Sequence, residues 1–250
     1  MKFTTILVDA DIYLHRACAV NGAKVTFGDE TTWTMNVRAA GGWLRHEFTK
    51  IRQRLDCTNM QLALGDRAAN FRKDLAPSYK CHRAAYLRPP GFAELEANMV
   101  AHAKVHRAPR LEGDDILGLL ATKEPTEGKV IVTIDKDLQQ IPGWHYNPDT
   151  DELIEVTPEQ GVLFHLTQTL TGDRTDGYPG LPGCGPVKAA KILLGQDGDE
   201  EDVWERIVDA FELKNLTRDD ALLQARLAFV LRQGYYNRKT QEIKLWTPPT

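Results

Sequence analysis

Carboxylates come in short, separated bursts along this 250-residue chain: Asp9 with Asp11, Asp66, Glu112 with Asp114 and Asp115, Asp135 with Asp137, and Asp173 with Asp176. Most follow an apolar run that reads as a buried strand. Acids at several strand ends of one sheet converge, and their mutual repulsion calls for cations. Hard divalent ions with oxygen ligands suit such a site, Mg²⁺ first and Mn²⁺ as a substitute. Sites of this kind act on phosphate. Singly, each burst has a plainer reading. Asp9 and Asp11 suit helix N-caps, the acids of 112–115 suit a first helical turn, and Asp135-Lys136-Asp137 and Gly172–Gly177 suit polar turns.

The elements that must position these acids alternate as in an α/β fold with a mostly parallel sheet and flanking helices. TTILVD (4–9), LALGD ending at Asp66, and KVIVTID (129–135) read as strands. Residues 36–55 carry apolar positions at spacings of three and four, which predicts a helix, and 92–104 and 113–123 read likewise. In such a sheet the carboxyl ends of the strands form the ligand crevice, where Asp9 is well placed. From Thr157 the texture becomes helical. Thr157-Pro158-Glu159-Gln160 combines an N-cap, a proline at the first helical position and a glutamine at the third. Thr217 opens a helix expected to run to about Arg232. The expected organisation is a catalytic α/β core over 1–155, with a basic segment at about 67–90, and a helical region over 156–250 tightly joined to it.

Within that helical region a glycine-rich turn from Gly177 to Gly185 separates two helices, so residues 177–194 are expected to form a hairpin between helices. Gly180, Gly183 and Gly185 imitate a dinucleotide fingerprint, but that motif follows a strand and here a helix precedes, which argues against it. Glycines that let a backbone come close, followed by a helix starting at Pro186 with Lys188 and Lys191, suit a DNA phosphate instead.

The formal net charge of −4 by itself argues against a polyanionic partner, but the charges are unevenly distributed and their arrangement favours one. Arg67, Arg72, Lys73, Lys80, Arg83 and Arg88 face the single acid Asp74 between positions 67 and 88. Lys104, His106, Arg107 and Arg110 form a second basic cluster. Acids gather at the candidate metal site and in DGDEED (197–202). This pattern binds a polyanion through metal and cations together. On a helix Lys80 and Arg83 would share a face, and Tyr79 beside them is placed to stack on a base or sugar. Cys18, Cys57, Cys81 and Cys184 form no CxxC pair, which points to neither zinc nor a disulfide framework but to a reducing cytoplasm. No stretch approaches a membrane span. The lone histidines lack ligand spacing, and Trp33, Trp43, Trp144, Trp204 and Trp246 read as core.

Together LVDADIYLHRA, LALGDRAANFRKDLAPSYKCHR, LEGDDILGLLA, VTIDKDLQQIP and LTGDRTDGYPGLPGCGPVKAAKIL resemble the flap endonuclease family of 5′ nucleases, and the order of segments is the family's. The arch segment, GDRTDGY and the C-terminal ARLAFVLRQGYYNRKTQEIKLWTP are most similar to the 5′ exonucleases of short-tailed bacteriophages. The resemblance implies a PIN-like core, a helical arch near 67–90 and a helix–hairpin–helix phosphate grip. It assigns Asp9, Asp66, Glu112 and Asp114 to a first metal cluster and Asp135, Asp137, Asp173 and Asp176 to a second, with Asp115 holding metal-bound water. Lys80 and Arg83 match residues that contact the scissile phosphate. Arg67, Arg72, Tyr79, Gly180, Gly183, Gly185, Lys188 and Lys191 complete the expected nucleic-acid contacts, with K⁺ at the hairpin.

The implied activity is metal-dependent 5′-to-3′ hydrolysis of double-stranded DNA by a monomer, with flap or RNA–DNA hybrid cleavage, serving phage replication in the host cytoplasm. VDAD stands where many relatives have VDG, which leaves Asp11 as an outer acid or a cap. Two alternatives remain at this point. A haloacid-dehalogenase-type phosphatase would use Asp9 and Asp11, and a DNA-structure-binding protein would lack catalysis.

Overall fold

The computed structural model describes residues 2–28, 30–82, 88–194 and 202–248. Strand β1 (Thr5–Asp9) lies at the centre of a six-stranded sheet and alternates with period two, Ile6 and Val8 on one face and Leu7 on the other. It pairs in parallel with β4 (Met60–Ala63) and β6 (Lys129–Val132). Beyond β4 lies β5 (Val105–His106), and beyond β6 lie β7 (Gly143–Asn147) and the antiparallel edge strand β8 (Glu152–Val156). The order is β5-β4-β1-β6-β7-β8. The chain moves outward from β1 through β4 to β5, then returns to β6, so the direction of winding reverses between β1 and β6. Open α/β sheets place their ligand crevice at that switch point.

One face of the sheet is covered by α1 (Ala10–Asn21), α2 (Val37–Arg54) and α4 (Phe92–His102), whose apolar stripes meet Ile6, Val8, Leu62, Val130 and Val132. The other face receives α5 (Gly113–Ala121) and, in the same core, side chains of α6 (Pro158–Thr171), α7 (Pro186–Leu194), α8 (Val203–Glu212) and α9 (Arg218–Ala228). That core runs from Leu7 to Trp246 without a break. A hairpin of β2 (Gly22–Phe27) and β3 (Glu30–Met35) stands apart from the main sheet.

Three expectations change. The described part of the 67–90 segment holds one short helix, α3 (Phe71–Leu75), followed by turns, so Lys80 is not helical but sits at φ 50°. Helix α9 stops at Ala228 because the chain becomes extended at Phe229, and the amides of Val230 and Leu231 bond Gln140 Oε1 and Asp115 Oδ1. Trp33 is half exposed on the hairpin with Lys24 over its ring, whereas Trp204 and Trp246 are core. Arg83 lies outside the described residues, as does the acidic run apart from Asp202, the N-cap of α8.

Candidate active site

The carboxyl ends of β1, β4 and β6 carry the acids to the switch point. Asp9 closes β1 and is buried. Thr133, just after β6, donates its hydroxyl to Asp9 Oδ2 at 3.4 Å and accepts from the Asp135 amide at 3.0 Å. Asp135 Oδ1 then caps the 3-10 turn Lys136–Gln140 by accepting from Asp137 N at 2.9 Å. Glu112 and Asp114 come from the start of α5. Asp9, Asp66, Glu112, Asp114, Asp135 and Asp176 line one cleft of about 750 Å³, with Lys80 on its wall.

Burial and mutual repulsion hold protons on part of this group. Burial, then Asp11 and Asp135, push Asp9 up to about 7. Burial, then Asp9 and Asp135, raise Asp114 well above the carboxylate range. Asp137 is pushed up to about 7 by burial, then by Asp135, Asp173 and Asp176. Its Oδ1 is buried with no hydrogen-bond partner. Glu112 goes the other way. Although burial opposes ionisation, Lys80 and Arg72 bring it down to about 2.

Lys80 Nζ donates to Glu112 Oε1 and lies 3.3 Å from Asp176 Oδ2. Tyr79 donates its hydroxyl to Glu112 at 2.8 Å, the same oxygen lies 3.1 Å from Asp176 Oδ2, and its ring is stacked on Tyr178. Arg72 crosses beneath, paired with both oxygens of Asp115 at 2.8 Å and with the carbonyls of Leu227 and Phe229.

The base of the basic segment rests on the loop before the hairpin. Lys80 N donates to Asp176 O at 2.8 Å. Gly177 has φ 79°, and a Cβ there would meet Ser78 O at 2.8 Å, so glycine is required for this approach. Asp173 Oδ1 accepts from the amides of Thr175 and Asp176, which fixes the loop. In the hairpin the glycines divide. Gly180 is buried against Gly172, whereas Gly183 and Gly185 have nothing within 4 Å of a built Cβ and lie exposed with Lys188 and Lys191.

Asp11 is a brace. Its Oδ2 accepts from Gly65 N at 2.8 Å, its Oδ1 accepts from Arg67, and Arg67 continues to Glu96. Asp66 uses both oxygens on backbone amides, Ala68 at 2.9 Å and Arg110 at 2.7 Å.

The donor chemistry fits divalent cations: hard oxygen ligands, protons retained by repulsion, and the unpartnered oxygen of Asp137. Among the described residues no three acids, histidines or cysteines stand as a ready-made ion cage. Glu112 and Asp66 spend their oxygens on Lys80, Arg72, Tyr79 and backbone amides, bonds that a cation would replace.

A family model described as the 5′-3′ exonuclease N-terminal resolvase-like domain matches residues 4–147. The exodeoxyribonuclease of Enterobacteria phage T3 is 30% identical over 214 residues, covering 72% of this chain and 71% of that protein. The exonuclease of Escherichia phage T7 matches at the same identity and coverage. This chain belongs to the 5′-3′ exonuclease family. The fold of this 5′-3′ exonuclease is that of the bacteriophage T5 flap endonuclease, solved in a pseudo-enzyme–product complex with DNA and metal ions. That structure has a TM-score of 0.66 and 11% identity, over 90% of this chain and 88% of that one.

Within this family member, three expected site residues have other positions. Tyr79 is 2% exposed, so its ring cannot stack on a base. Arg72 is 3% exposed and saturated by Asp115 and backbone carbonyls, so it cannot grip a phosphate. Asp115 is fully buried, bonded to Arg72, Glu112 N and Leu231 N, and does not reach the cleft to hold water. The sequence reading also missed Thr133 and Tyr178. Thr133 alone carries a signal, a hydroxyl between β6 and Asp135.

Proposed function

We propose that this chain is a divalent-metal-dependent nuclease that hydrolyses phosphodiester bonds of double-stranded DNA from 5′ ends. Mg²⁺ is its working ion and Mn²⁺ a substitute. The observation that carries the reading is the convergence of Asp9, Asp66, Glu112, Asp114, Asp135 and Asp176 on one cleft at the switch point, with Lys80 beside them. Asp9, Asp66, Glu112 and Asp114 would hold one ion, and Asp135, Asp137, Asp173 and Asp176 the other. When bound, the pair supplies Lewis-acid activation of water and neutralises charge on the phosphate and the leaving 3′ oxygen.

The chain's own groups do the rest. Lys80, whose ammonium stays charged between Glu112 and Asp176, offers its charge to the phosphoryl oxygens as they gain charge. Exposed Gly183 and Gly185, with Lys188 and Lys191, present backbone amides and charge to duplex phosphates, with K⁺ as an added ligand there. The exposed Lys73 and the cleft residue Arg88 extend the basic wall. Flap and RNA–DNA hybrid cleavage, action as a monomer and service in phage replication belong to the same proposal. A phosphatase working through Asp11 is disfavoured, because both Asp11 oxygens are engaged by Gly65 N and Arg67.

The test is digestion of duplex DNA labelled at either the 5′ or the 3′ end, with Mg²⁺ or with EDTA. The expected result is early release of short 5′-labelled products with Mg²⁺ alone. Early release of the 3′ label, or equal digestion in EDTA, would overturn the reading.

A further inference from the structure

A second concentration of charge lies away from the carboxylate cleft. Lys104, His106, Lys123, Lys129, Arg238 and Lys239 surround a cavity of about 710 Å³ between β4 and β5, the C-terminal end of α5 and the 233–239 loop. None of the lining residues is acidic, in a chain whose acids outnumber its bases. Glu124, whose charge reaches Lys129, lies outside the lining. The basic cluster read in the sequence at 104–110 splits here. Arg107 and Arg110 are spent on Glu96 and Asp74, while Lys104 and His106 face the cavity.

These cations differ in what already engages them. Lys129 Nζ donates to Leu120 O at 2.7 Å and to Lys123 O, closing the end of α5. Lys104, Lys123 and Arg238 have no ion-pair partner among the described residues. Their charges converge on His106, which burial and then Lys104, Arg238 and Lys123 hold toward its neutral form. Gln61 fixes that ring, with Oε1 2.8 Å from His106 Nε2. The hydroxyl of Tyr236, which also lines the cavity, is buried without a partner. Unpaired cations gathered around one void repel one another, and an anion with several acceptor oxygens relieves that repulsion while accepting from the ammonium, guanidinium and phenol donors.

We propose that this cavity is a second phosphate-binding site, taking a phosphate group either from a nucleic-acid backbone or from a free mononucleotide. Thr5 and Lys129, the first residues of β1 and β6, line it, whereas the carboxylate cleft is built at the opposite ends of those strands. His106 stands in register with Ala63 and Asp9, so the cavity reaches the level of Asp9 two strands, about 10 Å, to its side, and the two linings share no residue. A phosphate held here is not the one being cut.

The probe variant is Lys104→Ala/Lys123→Ala/Arg238→Ala. All three side chains are exposed, so their loss strands no buried group, and Lys129 is left to cap α5. All measurements are made in EDTA, where no cleavage enters, so failure of the proposed hydrolysis would leave their result standing. Inorganic phosphate and thymidine 5′-monophosphate are titrated by calorimetry, and a labelled duplex is titrated by anisotropy across a salt series.

If the source is a free phosphate, the small ligands bind the wild type saturably and the variant about tenfold or more weakly. If the source is a backbone, only the duplex responds, and its log–log salt slope falls by about three, one for each cation removed. Identical behaviour of wild type and variant toward all three ligands would overturn the site.

Discussion

At Asp137 one carboxylate oxygen is buried without a donor, and Asp135, Asp173 and Asp176 add repulsion, so the group rises from the ordinary 3.8 to about 7. The folded state then holds this proton more tightly than the unfolded chain does. Whatever stability the group gives is full below the ordinary carboxylate range and is lost as pH rises toward 7. Asp137→Asn cannot ionise. In EDTA its unfolding free energy is expected to match the wild type at pH 4 and to exceed it at pH 8 by about 1–2 kcal/mol, after solvent screening is allowed for. Mg²⁺ should then stabilise the wild type more than the variant, which keeps the acids of the first ion; a constant gap across pH would contradict the assignment. For Lys80→Ala, turnover is expected to fall about a hundredfold or more while duplex affinity changes little, because its ammonium serves charge that develops in the reaction. A pure binding defect would reduce Lys80 to an anchor. The candidate acids were legible in the sequence only as a set: each alone suits a cap or a turn, but their recurrence after several apolar runs of one sheet points to a shared place. Arg72, Tyr79 and Asp115 were misread because charge and aromaticity do not reveal which side chains a neighbouring helix will cover.

Among the elements, α3 is tied to α5 and to the end of α9 by one buried guanidinium. Arg72→Ala would leave Asp115 uncompensated at 0% exposure and is expected to cost about 3–5 kcal/mol in denaturant unfolding. Replacing both partners, Arg72→Met with Asp115→Leu, should recover part of that loss; no recovery would mean that the carbonyl bonds of Arg72 carry the effect. A second brace ties α1 to the loop after β4 through Asp11, with Gly113 of α5 packed against it. A Cβ on Gly113 would lie 3.0 Å from Asp11 Oδ2, so Gly113→Ala is expected to destabilise by about 1–2 kcal/mol. Asp11→Ala in the same chain should remove much of that penalty, and strict additivity of the two changes would exclude the contact. Elements with long periodic patterns, α2 above all, and the central strands were readable from the sequence, although only β1 ends in its acid and β4 and β6 stop three residues before Asp66 and Asp135. The β2–β3 and β7–β8 hairpins were not, because their alternation is short and polar, and β5 has only two residues.

Across the whole molecule, one sheet brings strand ends together and one continuous core binds the C-terminal helices to it. Gln140 stitches the join. Its Nε2 donates to Gln168 Oε1 at 2.6 Å and Ala228 O at 2.7 Å, and its Oε1 accepts from Val230 N at 3.2 Å. The loop carrying Asp135 and Asp137 is thereby fixed to α6 and to the end of α9, while Asp173 and Asp176 follow α6 directly. Both groups of candidate acids could be read from the sequence, but not that a buried glutamine ties together the segments that carry them. The proposal is one metal-dependent hydrolytic centre made of carboxylates gathered from distant parts of the chain. It is tested most directly by single-turnover cleavage of 5′-labelled duplex DNA in Mg²⁺, comparing the wild type with Asp135→Ala, with both shown by thermal unfolding to be folded. Asp135 lies in the cleft, repels Asp9, Asp114 and Asp137, and caps the turn that carries Asp137. Such a centre requires a loss of about a thousandfold or more in the cleavage step, and equal rates for the two proteins would rule it out.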